Sequence, residues 1–519
     1  MPSSTSHIAI VGAGIGGLAA ALRLAHSGAK VSVFELHSTP GGKMRTVPSA
    51  AGPVDAGPTV LTMKPVFDSL FTDIGERLED HVTLTKEPLL ARHYWSDGTT
   101  LDLMANQSDS IANVAAAFGK RAASEFERFS ARAARLFDAF DVPMMHAGNP
   151  SALSLTARVL RHPSLIRDMA PHQTLAGSLA TQFREPKLAQ LFGRYATYVG
   201  GRPDASPAIL SLIWHAEAQG VWHVDGGMHR LAQAMEQLAI KLGVTFHYDT
   251  PVTALEPDAV LVEGARIAVD QTLFNGDPNA LTTGALGEHA KNAVSSDATA
   301  PRSLSAYVHA FAAKAAGVDL APHTVFFGDS SDGEFLPLSE GRMPHDPTLY
   351  ICSQDRFGGR QPTGDERFEI ILNGPPAQHP TTPSEKERQQ CQTLVFSRLK
   401  AFGLTFTPKP NPGTLTMPAE FAQMFPASNG SLYGRSPHGL MAAFKRPTAR
   451  TRMKGLYLVG GGAHPGAGVP MATLSAKHAV EAMLHDQTST STSPQAATRG
   501  GMSTASATTA SAPSRSSAS

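Results

Sequence analysis

"HIAIVGAGIGGLAAALRLAHSGAKVSVFE" (residues 7–35) decides how this chain folds. Its first five residues, His7–Val11, read as a short buried strand. Gly12, Gly14 and Gly17 follow in G-x-G-x-x-G spacing, with Ala13 and Gly16 in the same loop. Leu18, Ala21, Leu22 and Ala25 then recur at helical spacing up to Gly28, a helix stop. "VSVFE" (31–35) is the next strand and ends in an acid, Glu35, ~20 residues past the glycines. A lone glycine triplet is weak; strand, loop, helix, strand and acid in register predict a dinucleotide site. Gly12 permits the tight turn, Gly14 lets a pyrophosphate approach, and Gly17 lets the helix pack on the sheet. The helix N-terminus offers unpaired N–H groups to phosphates. Glu35 accepts the ribose hydroxyls.

A second glycine-rich junction stands near the other end, "YLVGGGAHPGAGVPM" (457–471). A strand runs into Gly460, Gly461 and Gly462, which admit a ligand close to the backbone. Pro470 sits near the start of a helix bearing Leu474, Ala476, His478, Val480 and Leu484. Between the two junctions, residues 220–255 place Met228, Leu231, Met235, Leu238 and Leu242 on one face of a core helix, followed by the strand "VTFHY".

The rest of the chain sets limits. Its 519 residues imply more than one domain. Zero formal net charge argues against nucleic acid as a partner. Charged residues make up 17%, against roughly 25% in typical soluble domains. That is either an Ala-, Gly- and Pro-rich bias or a surface that meets something apolar. Cys352 and Cys391 are too few and too far apart for a disulfide framework or zinc set, so no metal is expected and both read as buried thiols in a reducing cytoplasm. The N-terminus lacks a signal-peptide pattern, and no run of about twenty apolar residues is present to span a membrane. After Leu484 the sequence turns Ser/Thr/Ala-rich, so 486–519 is expected to be a disordered tail. No G-x-S-x-G, H-E-x-x-H, P-loop or paired-Cys motif appears.

After Glu35 come "HSTPGGKMR" (37–45) and "VDAGPTVL" (54–61). Acid, short gap, Gly-Gly-basic, then Asp-x-Gly-Pro resembles the flavoprotein family of carotenoid desaturases and amine oxidases. The C-terminal stretch is similar to that family's flavin motif, in the form carried by bacterial carotenoid desaturases of the phytoene desaturase type. The resemblance covers about 7–485 and implies one FAD rather than separate FAD and NAD sites. It implies that Gly42 and Lys43 lie along the flavin side, with Gly460, Gly461, Gly462 and Met471 at the flavin. The helix N-terminus near Met471 then stabilises anionic reduced flavin. It implies that Val252 holds the adenine through its backbone, and that "LFNGDPNAL" (273–281), with Asn275 and Asp277, returns the chain to the cofactor domain. The implied fold is α/β: a discontinuous Rossmann-like FAD-binding domain (1–78, 223–300 and 446–485) with an inserted α+β substrate domain (79–222 and 301–445), followed by the tail.

The implied reaction removes two hydrogens from adjacent carbons of a polyene. "GVWHVDGGMHRLA" (220–232) and "RYATYVGGRPDASPA" (194–208) look most like the 1-hydroxycarotenoid 3,4-desaturase branch, also called methoxyneurosporene dehydrogenase. Alternatives are a phytoene desaturase, a flavin amine oxidase, a carotenoid isomerase, and a non-enzymatic prenyl-protein carrier of the Rab escort type. Asp55 and His464 are the candidate bases; the plainer account of His464 is that His-Pro shapes the loop. With no second nucleotide motif, oxygen or a quinone is the expected electron acceptor. A carotenoid dissolves in lipid, so a cytoplasmic protein docked peripherally on the inner or photosynthetic membrane is expected. "LSLTARVLRHPSLIRDM" (153–169), broken at Pro163, is either the docking segment or an ordinary surface helix.

Overall fold

The computed structural model describes residues 6–377 and 381–491. The apolar run at the start forms β1 (His7–Val11), the central strand of a five-stranded sheet. Helix α1 (Ile15–His26) leads to β2 (Lys30–Phe34). The sheet order is Leu456–Leu458, Gln271–Phe274, β1, β2, Thr245–His247, and every pair is parallel. Parallel neighbours need crossover connections, and here these crossovers draw on both ends and the middle of the chain. Ala19, Ala20 and Ala21 of α1 are fully buried. Such small side chains let α1 sit close to the sheet, in one core with α2 (His229–Lys241) and α3 (Val469–Ser491). The stripe Met228, Leu231, Met235 and Leu238 is buried in that core.

One boundary differs from expectation. The helix α3 continues to Ser491, so residues 486–491 are not tail. Asp486 pairs with Arg450 and accepts from the Tyr457 hydroxyl, and the Gln487 amide donates to Gln271. Polar side chains that bond back to the sheet extend the helix past its last apolar residue, which an argument from composition misses. The remainder of the expected tail, 492–519, lies outside the described residues.

The second sheet joins seven strands in the order Thr405–Thr407, β3 (Ser305–Ala316), Glu366–Gly374, Leu349–Ser353, His323–Phe326, Leu89–Tyr94, Thr100–Met104; Leu415–Thr416 adds to β3. The strands Leu349–Ser353 and Glu366–Gly374 are β4 and β5 hereafter. Alternation along β5 sorts its side chains between two faces. Phe368, Ile370 and Leu372 pack against Cys391, Val395 and Leu399 of the helix Glu385–Ala401. Ile371 packs the other way, with Val54, Ala56 and Val308. That second face therefore looks toward the nucleotide domain.

A helical layer caps the sheet. Its centre is a ring cluster in which Phe192 lies 4.4 Å from Phe129 and 5.5 Å from Trp214, centroid to centroid. Residues 153–169 form two helices, Ala152–Arg161 and Pro163–Met169, with Pro163 opening the second. No helix among the described residues is long and apolar enough to cross a membrane. The architecture is the discontinuous Rossmann-like α/β fold with an inserted α+β domain.

Phe192 is buried on every side, so Phe192→Ala leaves a cavity that its neighbours cannot fill. A loss of about 3–5 kcal/mol is expected, read as a lower urea midpoint. An unchanged midpoint would show that the ring cluster does not hold the helical layer.

Candidate functional site

The two glycine-rich junctions meet. A Cβ on Gly16 would lie 2.9 Å from the Cα of Gly460, so the loops approach at backbone contact. Asn275, at the end of the strand between them, ties them together. Its side-chain amide donates to the carbonyls of Gly12 (3.0 Å) and Gly14 (3.3 Å), and its backbone N–H donates to Val11 (2.8 Å). Gly460 in turn donates its N–H to Ser475 Oγ on α3 (2.7 Å).

The other predicted residues gather around this junction. Gly41 donates to the Ala13 carbonyl at 2.9 Å. A Cβ on Gly42 would stand 3.2 Å from the Gly14 Cα, which sets the Gly-Gly-Lys turn directly on the first loop. Glu35 is buried at the end of β2. One carboxylate oxygen accepts from Ala13 N (2.5 Å) and the other from His37 N (2.9 Å). A carboxylate has about four acceptor sites, so capacity for ribose hydroxyls remains. Val252 opens the strand Val252–Glu256, two residues after Thr250, whose N–H donates to the Glu35 carbonyl at 2.8 Å. Met471 is buried in the first turn of α3. Gly461 and Gly462 follow Gly460, and the Gly461 carbonyl accepts from Arg446 at 2.9 Å.

Charge at the junction is positive, which the motif reading passed over. Lys43 donates Nζ to the Leu432 carbonyl at 2.5 Å. Burial lowers its pKa to about 8, with Asp277 opposing and Arg302 and Arg446 adding to the drop. Arg446 donates to the carbonyls of Gly461, Tyr433 and Arg435, and burial lowers its pKa to about 10. Arg302 is ion-paired with Asp277. Three cations thus face one carboxylate. No short-range pattern links residues 43, 302 and 446, so only the fold reveals the cluster.

The two candidate bases are engaged elsewhere. Asp55 is buried, and its carboxylate accepts from Met228 N (2.6 Å) and His229 N (3.3 Å), which caps the start of α2. Burial raises its pKa, while the two N–H groups oppose the rise. His464 holds Nε2 2.8 Å from the Ala147 carbonyl and stacks near His478. Burial lowers its pKa to about 4. The neutral ring then donates to Ala147 and joins the C-terminal glycine loop to the inserted domain.

These residues fit FAD. The loop backbone is open at Gly14, where an added Cβ meets only the Asn275 amide. The excess positive charge suits a pyrophosphate and an electron-rich ring. The two glycines of the fingerprint therefore separate by substitution. Gly14→Val is expected to keep the fold but lose FAD, because the branched side chain takes the space beside the loop. Gly17→Val drives its Cβ into the Gly12 carbonyl oxygen, so folding itself should fail. Flavin absorbance and circular dichroism of the two purified variants check both; full FAD in folded Gly14→Val contradicts the assignment.

Comparison with known proteins agrees with this geometry. Hydroxyneurosporene desaturase of Cereibacter sphaeroides is 51% identical over 93% of this chain and 98% of its own length. The protein of the same name from Rhodobacter capsulatus is 46% identical over 94% and 99%. Among solved structures, cyclohexylamine oxidase from Brevibacterium oxydans IH-35A superposes with a TM-score of 0.54 at 16% identity, over 93% of this chain and 99% of that one. At that identity the likeness speaks to the fold alone. Residues 15–484 match flavin containing amine oxidoreductases, and the chain belongs to that family and, within it, to the FAD-dependent carotenoid desaturases.

Proposed function

We propose that this carotenoid desaturase acts on 1-hydroxylated acyclic carotenoids and introduces the 3,4 double bond while docked on a membrane. The observation that carries the substrate reading is the near-full-length identity to two proteins named hydroxyneurosporene desaturase. Bound FAD supplies a hydride acceptor. The chain's own residues supply the rest. Asn275 holds the glycine loops together, Lys43 and Arg446 keep positive charge beside them, and Asp55 fixes the start of α2. The apolar cluster of Val54, Ala56, Val308, Ala310 and Ile371, on the sheet face turned to the nucleotide domain, supports an apolar surface for a polyene. Positioning in such a water-excluded site is a large source of rate. A quinone or oxygen as the final electron acceptor belongs to the same reading.

The docking part rests on one surface. Leu153 is 85% exposed and Leu160 66%, beside exposed Arg158, Arg161 and Arg167. The same two helices send Leu155, Val159 and Leu165 inward, onto Phe137 and Phe140. Val142, Leu440 and Met441 are further exposed apolar residues, and Phe444 near the last two packs on that cluster. Apolar side chains standing out among arginines suit an anionic lipid interface. This supports a place on the cytoplasmic side of the inner or photosynthetic membrane.

Two measurements test the proposal. FAD-loaded enzyme in liposomes is given phytoene and 1-hydroxyneurosporene separately, and products are resolved by chromatography, spectrum and mass. Loss of two mass units with a red shift from the hydroxylated substrate alone is expected; stepwise conversion of phytoene overturns the substrate reading. For docking, Leu153→Asp with Leu160→Asp removes about 1.5–3 kcal/mol of burial per leucine and should release the protein from liposomes. Reversing Arg158, Arg161 and Arg167 to Glu should weaken binding to anionic vesicles. Unchanged co-sedimentation of both variants rejects this surface.

A further inference from the structure

The sheet face that looks toward the nucleotide domain carries a carboxyl that nothing satisfies. Glu369 lies in the middle of β5 with no solvent exposure. Neither of its carboxyl oxygens finds a hydrogen-bond partner among the described residues. Buried polar groups are almost always paired, so an orphan calls for a reason. Its cross-strand neighbours are Ala310 on β3 and Cys352 on β4, both small. Nearby charges do not serve it. Asp55 is committed to the N–H groups of α2; Arg45 donates Nη2 to Thr416 Oγ1, and its Nε, also unpaired, makes no hydrogen bond to Glu369. Burial, with Asp55 adding and Arg45 opposing, pushes the Glu369 pKa well above the carboxylate range. A carboxyl that keeps its proton can both donate and accept.

The cross-strand neighbour Cys352 and same-strand neighbour Arg367 of Glu369 line a cavity of about 10 Å³, together with Asp55, Gln354, Thr59 and His223. That is roughly the room one water or one hydroxyl needs. On the sheet face around the carboxyl the packing is apolar: Val308, Ala310 and Ile371 cluster with Val54 and Ala56. In a 1-hydroxylated carotenoid, C1 is only two carbon–carbon bonds from C3. Any site that presents C3 and C4 for hydrogen removal therefore meets the hydroxyl at once. An unpaired hydroxyl against an apolar wall is disfavoured.

We propose that Glu369 is the specificity-determining residue that hydrogen-bonds the substrate's C1 hydroxyl and so sets which end of the polyene enters the site. This rests on the substrate reading above. A site built to bond a hydroxyl rejects the analogue lacking it far more strongly than a pocket judging size alone.

The test gives FAD-loaded wild type, Glu369→Leu and Glu369→Gln an equimolar mixture of 1-hydroxyneurosporene and neurosporene, and the product ratio is read by chromatography. Wild type should prefer the hydroxylated substrate. Glu369→Leu should lose that preference by about a hundredfold, through the hydroxylated substrate only, while Glu369→Gln, whose amide still donates and accepts, keeps most of it. Binding of the two desaturated products, followed by tryptophan quenching in the same FAD-loaded proteins, should lose its preference in step. If Glu369→Leu does not fold, Ala310→Val, which crowds the carboxyl from across the strand, should lower the preference in the same direction. An unchanged ratio, or equal losses on both substrates in the Leu and Gln variants, overturns the assignment while leaving the substrate reading intact. A wild type without preference overturns both.

Discussion

The Asn275 side chain, bonded to the carbonyls of Gly12 and Gly14 and set against Gly460, is the contact on which the rest of this molecule depends. It requires that a loop near residue 14 and a loop near residue 460 occupy one place. The chain must then begin and end in the same sheet, with everything between them leaving that sheet and returning. A parallel sheet permits this because its neighbours need long crossovers anyway. The inserted domain is such a crossover grown large. Its second sheet turns one face back toward that domain, where Val308 and Ile371 pack with Val54 and Ala56.

Charge around the junction follows the same logic. Lys43 and Arg446 spend their donors on carbonyl oxygens rather than on carboxylates. Their charge is therefore left uncancelled, and burial lowers both pKa values. A desolvated cation without a counter-charge is a cost to folding. Such an arrangement is retained where a ligand brings the anion, as a dinucleotide does. The acids nearby are already committed: Asp277 to Arg302, Asp55 to the end of α2, and Glu35 in part to Ala13 and His37.

The cofactor half of this protein was legible in the sequence because it is local. The strand–glycine–helix–strand run of residues 7–35 needs only neighbouring residues to be recognised, and the same holds for 457–471. Asn275 was visible as a strand end, but its amide bridge was not, since its partners lie more than two hundred residues away. The cations at 43, 302 and 446 and the orphan at 369 were out of reach for the same reason: contacts between segments far apart in the sequence bring each to its place. Asp55 and His464 drew notice as titratable residues in glycine-rich loops. Their commitment to the α2 N-terminus and to the Ala147 carbonyl depends on tertiary packing that no spacing encodes. The helix end at Ser491 is not legible because the helix runs on past its last apolar residue, where Asp486 and Gln487 bond to Arg450 and Gln271.

A fold shared with an amine oxidase leaves the substrate to be decided by the wall opposite the glycine loops. Here that wall has few free polar groups. Tyr350 on β4 is bonded to Thr59 (2.6 Å) and His323 (2.7 Å), so its hydroxyl is occupied. Burial lowers the pKa of His323 to about 3, which leaves its ring neutral. Asp55 turns to α2. An amine needs a polar or aromatic cradle with donors and acceptors to spare, whereas a polyene needs a surface that does not compete with its apolar length. Pairing the polar side chains with one another provides that surface without removing them from the sequence. On that face Glu369 is the carboxyl with neither oxygen paired among the described residues, which is why the proposed contact with a hydroxylated substrate falls on it.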